Sequence, residues 1–189
     1  LFAIWYAGLV AVPVNAKLHP ADLAYIFENS GSRACFTSPE LAPAIEELSA
    51  DVTLLEFVIS ADSDTYRALK SGDTMAYAER APEDPAWLFY TSGTTGRPKG
   101  ATLSHRNLLV MTLSYFADMD PISSHDSVMH AAPLSHGSGL YALPHIAKAA
   151  NNIIPESGGF DAAEVLGLIP HYSGVTLFGA PTMIVRMMN

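Results

Sequence analysis

The sequence predicts an α/β fold: a mostly parallel sheet covered by helices on both faces. Three observations predict it. Apolar runs of strand length alternate with helical patterns of roughly 10–15 residues, the rhythm of strand–helix–strand crossovers. The runs are apolar throughout instead of alternating, as strands covered on both faces require. A glycine-rich stretch stands directly after one such run, at a strand's carboxyl end, where α/β sheets hold their ligands.

Each element follows from local chemistry. Leu1 to Ala7 reads as the end of a helix stopped by Gly8, and Leu9 to Val14 as a strand. Pro20 suits a first helical position and opens a helix with Leu23, Ile26 and Phe27 on one face, closed by Ser30-Gly31. Ala34 to Thr37 is a short buried strand that carries Cys35, read as a small apolar filler. Pro39 starts a helix whose Leu41, Ile45 and Leu48 share a face, and Val52 to Ile59 is the next strand. Residues 61–85 are the most polar stretch, a connection with room for a short helix near Tyr66 to Lys70. Ala86 to Thr91 is a strand that feeds the glycine-rich loop.

Beyond the loop, Ser104 can cap a helix carrying Leu108, Leu109, Thr112, Tyr115 and Phe116. The alternation continues with strand Ser127 to Ala132, helix Leu140 to Ala149 and strand Asn152 to Ile154. Helix Ala162 to Tyr172, strand Val175 to Phe178 and helix Thr182 to Met188 complete it. The Tyr115-Phe116 pair and the terminal methionines are read as core.

Bulk composition narrows the function classes. Hydrophobic residues make up 49% of the 189 and charged ones 15%, which describes a core-rich globular chain. The net charge of −9 argues against nucleic acid as a partner, because phosphate backbones are held by many cations. One nucleotide remains compatible, since a single site can use backbone N–H groups and one or two local cations. The lone Cys35 forms no internal disulfide and fits a reducing, cytoplasmic setting. The longest apolar stretch, Leu1 to Val14, is too short to span a bilayer and contains Gly8 and Pro13. The chain opens at Leu1, inside a helical pattern, and is expected to be a piece of a longer protein.

The loop carries the chemistry. Phe89 to Gly100, Phe-Tyr-Thr-Ser-Gly-Thr-Thr-Gly-Arg-Pro-Lys-Gly, holds three glycines, four hydroxyl-bearing Ser and Thr residues and two cations. Each glycine costs about 0.5–1 kcal/mol against alanine, so their concentration suggests that backbone must come close to a ligand. A Walker A loop needs four residues before its Gly-Lys-Ser/Thr. Here Gly93 and Gly96 are two residues apart and Lys99 follows a proline. The dinucleotide fingerprint Gly-x-Gly-x-x-Gly is absent. What remains is a hydroxyl-rich turn whose N–H and O–H groups donate to phosphate oxygens, with Arg97 and Lys99 offsetting charge. Pro98 stiffens the exit. The bland alternative is a flexible surface turn; the preceding strand and the two cations weigh against it.

Tyr90 to Gly100 resembles the signature of the adenylate-forming superfamily, which includes acyl- and aryl-CoA ligases, luciferases and peptide-synthetase adenylation domains. Gly8 to Asn15 looks like that family's upstream segment, Pro133-Leu134-Ser135-His136-Gly137-Ser138-Gly139 like its second core motif, and Gly179 to Met183 like the turn that follows. The resemblance implies that residues 1–189 are part of the large N-terminal AMP-binding domain, without its C-terminal domain. It implies a two-step ligase using ATP, Mg²⁺ and coenzyme A on a small carboxylic acid, fatty or aromatic. Thr91, Ser92, Gly93, Thr94, Thr95 and Gly96 would cradle the β- and γ-phosphates, with Arg97 and Lys99 beside them. Lys99, Thr95 and His136 would be catalytic, and Thr95 would meet Mg²⁺ through the phosphates.

His136 would stand beside the carboxylate and α-phosphate; on residues alone a histidine satisfied by local backbone is the favoured reading. Gly137, Ser138, Gly139, Gly179, Ala180 and Pro181 would line the acyl pocket, although glycine before a helix is also ordinary turn chemistry. The series His125, His130, His136 fits no ordinary zinc spacing. No Gly-x-Ser-x-Gly elbow supplies a hydrolase nucleophile. The Pro-Leu-x-His form is closer to CoA ligases than to peptide-synthetase domains.

The residues that the family places after this segment, an acidic magnesium ligand, a ribose-binding aspartate and a C-terminal lysine, are not in the chain. Little or no turnover is therefore expected from these residues alone. A homodimer is compatible with this reading, as are three rivals: a peptide-synthetase-type adenylation domain, a phosphotransferase releasing ADP, and a non-catalytic nucleotide- or acyl-binding module.

Overall fold

The computed structural model describes residues 1–91 and 97–189. The chain divides into two compact units, Leu1–Leu103 and Ser104–Asn189.

The first unit begins with α1, Phe2–Tyr6. The strand expected over Leu9 to Val14 reduces to one parallel bridge between Ala11 and Trp87. Ala11 donates to the Ala86 carbonyl at 2.9 Å and accepts from Leu88 at 2.9 Å. Pro13 has no N–H with which to continue that ladder.

Helix α2, Pro20–Ser30, has the limits the sequence predicts. His19 Nδ1 accepts the Ala21 N–H at 3.2 Å, and Pro20 occupies the first turn. Gly31 closes the helix at φ 66°, a left-handed conformation that glycine adopts without Cβ strain. The Ser32 N–H returns to the Phe27 carbonyl at 3.0 Å, completing a Schellman end.

Strand β1, Ala34–Thr37, pairs in parallel with β2, Phe57–Ser60, from Ala34 opposite Phe57 to Thr37 opposite Ser60. Between them α3, Ala42–Ser49, starts later than expected: Pro39 sits in a turn, and Pro43 holds the first-turn place. Leu23, Phe27, Ile45, Val52 and Leu55 form the unit's core. Val52 and Leu55 enter it from turns, so the strand expected from Val52 is confined to its last residues.

The buried setting expected for Ala34 to Thr37 is also corrected. β1 alternates exposed and half-buried, and Cys35 is half-buried beside the core, where burial pushes its thiol pKa up. The polar stretch contains α4, Asp64–Ser71, capped by Ser63 Oγ accepting from Tyr66 N–H at 3.1 Å. Strand β3, Pro85–Thr91, pairs with β4, Lys99–Ser104, a strand the sequence reading did not assign.

The second unit opens with α5, His105–Asp118. Ser104 Oγ accepts the Asn107 N–H at 3.2 Å while Asn107 Oδ1 accepts the Ser104 N–H at 2.9 Å, a reciprocal cap. Tyr115 is core as expected, but Leu109 is 59% exposed. β5, Ser127–Met129, is the central strand, flanked in parallel by β6, Asn151–Ile153, and β7, Val175–Leu177. β5 is wholly buried, as a central strand covered on both faces requires.

Helix α6, Gly137–Ala147, precedes β6; α7, Ala162–Leu168, passes into a 3₁₀ turn at Ile169–His171, where the expected helix ends short around Pro170. α8, Pro181–Met188, closes the chain. Met129, Ala131, Ile153 and Val165 make the core, with Met183 and Met187 packed against it. Met188 does not join them; it is 81% exposed. No helix among the described residues is long and apolar enough to cross a membrane.

Candidate active site

The glycine-rich loop is flanked by two stems, β3 and β4. β3 delivers Trp87 and Tyr90 into the interior and ends at exposed Thr91. Beyond the loop, Arg97 and Lys99 are exposed, with half-buried Pro98 between them and Lys99 opening β4. Ser92, Gly93, Thr94, Thr95 and Gly96 lie outside the described residues.

Both stems touch α2. The Tyr90 hydroxyl donates to Asn29 Oδ1 at 2.7 Å. The Arg97 guanidinium stands over the Tyr25 ring, 5.4 Å from its centre, within cation–π range. Gly100 leans on Tyr90 so closely that a Cβ there would meet Cζ at 2.9 Å. Burial, with a smaller contribution from Tyr25, pushes the Tyr90 phenol pKa up, so the phenol stays neutral and keeps its proton for Asn29.

The second motif sits between β5 and α6. His136 is the N-cap residue of α6, and its Nδ1–H donates to the Ser135 carbonyl at 3.0 Å. Gly137 begins the helix beneath Phe178; a Cβ at that position would lie 2.6 Å from the ring. Ser138 and Gly139 are buried in the first helical turn. Ser135 is buried too, and its Oγ has no hydrogen-bond partner among the described residues.

Beneath this turn lies a polar network. His130 Nε2 is 2.9 Å from Asn152 Oδ1, and its Nδ1 is 2.8 Å from Ser138 Oγ. The amide oxygen can only accept, so Nε2 carries the proton and Ser138 donates to Nδ1. Asn152 Nδ2 reaches the Ala150 carbonyl at 3.2 Å, completing the assignment. Burial holds the His130 pKa below the ordinary histidine value, against the raising effect of Asn152. Asn152 ties β6 to the network, and Ser138 ties α6 to it.

The third segment is the β7–α8 turn. Gly179 lies against the Ile184 side chain, where a Cβ would meet Cδ1 at 3.1 Å. Ala180 is the N-cap residue of α8 and Pro181 stands in its first turn. Within the first unit the structure thus brings Thr91, Arg97 and Lys99 to the two ends of one loop. Within the second, His136, Gly137, Ser138 and Gly139 share one strand-to-helix turn, and Phe178, which covers Gly137, directly precedes Gly179.

Sequence reasoning missed Tyr25, Asn29 and the His130–Ser138–Asn152 network. The only available signal for the first pair was their four-residue spacing on a helix whose apolar stripe lies elsewhere. The network joins residues up to 22 positions apart and leaves no local pattern.

The sequence profile of the AMP-binding enzyme family matches residues 1–189. The chain is 31% identical over 191 residues to a feruloyl-CoA synthase of Amycolatopsis sp., covering 97% of this chain and 36% of that protein. It is 29% identical over 186 residues to the long-chain-fatty-acid–CoA ligase FadD13 of Mycobacterium tuberculosis, covering 96% and 36%. Among solved structures, ATP-bound MatB from Rhodopseudomonas palustris superposes with a TM-score of 0.80 at 29% identity, covering 99% of this chain and 37% of that one. The chain thus spans little more than a third of the length of these relatives.

Proposed function

Because the chain belongs to the AMP-binding enzyme family, we propose that it supplies phosphate-holding and acid-side residues to an ATP-dependent acid–CoA ligase. The observation that carries this reading is the placement of the residues that flank the hydroxyl-rich motif: exposed Thr91 ends β3, and two exposed cations, Arg97 and Lys99, stand where the chain enters β4. Relatives named as CoA synthase and CoA ligase, and an ATP-bound structural neighbour, support it.

In the proposed reaction a carboxylate oxygen attacks the α-phosphorus of ATP. A P–O bond forms as the bond to the pyrophosphate bridging oxygen breaks, and pyrophosphate leaves with that electron pair. The thiolate of coenzyme A then adds to the acyl carbon and AMP departs, leaving the thioester. Thr91 to Gly96 are assigned to the β- and γ-phosphates, and Lys99 to the charge that gathers on the leaving pyrophosphate. Donors set in place beforehand lower such a barrier because no reorganisation is needed as charge develops.

Mg²⁺ is expected to arrive with the nucleotide, its protein contact assigned to Thr95. His136, with its Nδ1 proton committed to Ser135, is assigned to the acid and α-phosphate. Gly137 to Gly139 and Gly179 to Pro181 are assigned to the acyl side. The lone cysteine fits a cytoplasmic setting.

The acid is fatty or aromatic; a feruloyl and a long-chain relative at near-equal identity favour neither. The test is product analysis on an intact protein carrying this chain, supplied with ATP, Mg²⁺, coenzyme A and a panel of fatty and aromatic acids. The ligase gives AMP, pyrophosphate and one acyl-CoA. ADP as product would place the loop in a phosphotransferase, and ATP binding without turnover would make the chain a binding module.

A further inference from the structure

We propose that Tyr25 and Asn29, one turn apart on α2, are positioning residues for the ATP triphosphate. They act by holding the two stems of the loop between Thr91 and Lys99 to one helix. The inference rests on the proposed reading of that loop as an ATP site. On the entering stem, Asn29 Oδ1 takes the Tyr90 hydroxyl at 2.7 Å, and Tyr90 is only 6% exposed. On the leaving stem, the Tyr25 ring lies under the Arg97 guanidinium at 5.4 Å. Gly100 pressed against the Tyr90 ring links the second stem to the first.

The helix that carries both residues is firmly seated. Ile26 and Phe27 are 0% and 4% exposed, and both ends of the helix are capped. Residues four apart project from the same face, so Tyr25 and Asn29 present adjacent holds.

Two physical consequences follow. Two stems tied to one seated helix set Tyr90 and Arg97 in place relative to each other before a nucleotide arrives, and preplaced groups cost less to order on binding. The cation–π contact also keeps the Arg97 guanidinium, a planar five-donor group suited to phosphate oxygens, at the end of the leaving stem. Loss of either hold therefore weakens binding of the nucleotide and leaves binding of the acid alone.

The experiment uses an intact protein carrying this chain, with direct ATP binding by titration calorimetry and steady-state kinetics. Tyr25→Leu and Asn29→Ala should each weaken ATP binding and raise KM for ATP about three- to ten-fold. KM for the acid should remain at its wild-type value, and Tm should fall by no more than the loss of one half-buried hydrogen bond allows. Tyr25→Phe, which keeps the aromatic face, should restore the Tyr25→Leu loss. Tyr90→Phe should reproduce Asn29→Ala, and the two together should be no worse than either alone. Unchanged ATP affinity in both variants, or losses in ATP and acid affinity that follow a fallen Tm, would overturn the assignment. If the unmutated protein binds no ATP, the reading of the loop itself falls, and this assignment with it.

Discussion

His130 Nδ1 and Ser138 Oγ lie 2.8 Å apart, a buried contact that fastens the residue after β5 to the first turn of α6. With Asn152 on the other ring nitrogen, the imidazole is accommodated as a neutral group. Protonating Nδ1 would turn the Ser138 hydroxyl from donor to acceptor and leave a charge in a site with 5% exposure, whose burial is the cost.

Stability should therefore depend on pH through this residue. Its folded pKa lies below the ordinary 6.5, so the unfolded chain takes up the proton first. The stabilisation is complete above about pH 6.5 and is lost progressively as pH falls from there through the depressed folded value. Urea unfolding at pH 7.5 and 5.5 should show wild type losing more stability than His130→Gln. The difference should be at most about 1.4 kcal/mol per pH unit, and parallel pH profiles would refute it.

Gly137 should not tolerate a methyl group. Alanine favours a helix by about 1 kcal/mol over glycine, yet here its Cβ would enter the Phe178 ring at 2.6 Å. The ring cannot simply move aside, because Tyr141 packs against it with centres 5.2 Å apart. Gly137→Ala should cost about 1–3 kcal/mol of unfolding free energy. Phe178→Leu in the same chain should recover part of that loss. Chemical denaturation of wild type, the single mutant and the double mutant measures both effects, and a stabilised single mutant would contradict the packing.

Lys99 is exposed at the start of β4, so its removal should be nearly silent in stability, within about 0.5 kcal/mol. In an intact protein the proposed role in pyrophosphate departure predicts a different activity readout. Lys99→Ala should lower the rate of ATP–pyrophosphate exchange about 10²- to 10³-fold, the range seen when one preplaced donor is lost. An unchanged exchange rate would remove Lys99 from the chemistry.

Ser135 carries a buried hydroxyl with no hydrogen-bond partner among the described residues. Such a group loses its hydration on folding and regains nothing, so Ser135→Ala should be neutral or stabilise by up to about 1 kcal/mol. Thermal and urea unfolding would measure it. A clear destabilisation would mean that the hydroxyl is satisfied.

Legibility followed the range of the forces involved. Pro20 and Gly31 bound α2, and Ser104 with Asn107 caps α5, because ring constraint, left-handed backbone and capping bonds act within a few residues. The loop motif was readable for the same reason: its hydroxyls, glycines and cations stand at close spacing. β4 was not readable, since a run of Lys, Gly, Ala, Thr, Leu and Ser carries little strand propensity without β3 to pair with. Leu9 to Val14 erred in the opposite sense, having the propensity and finding only the Ala11–Trp87 bridge.

By itself, then, the sequence determined the ends of α2, the cap of α5, the α/β rhythm and the motif of the glycine-rich loop, all consequences of neighbouring residues acting on one another. Tertiary structure alone decided that Tyr90 meets Asn29 across 61 positions and that His130 is neutral between Ser138 and Asn152. A hydrogen bond between distant residues exists only where the packed chain brings donor and acceptor to within about 3 Å and excludes water. The residues that furnish a loop can be read in order along the chain; Asn29 and Tyr25, which touch its stems at Tyr90 and Arg97, belong to a helix more than sixty residues away.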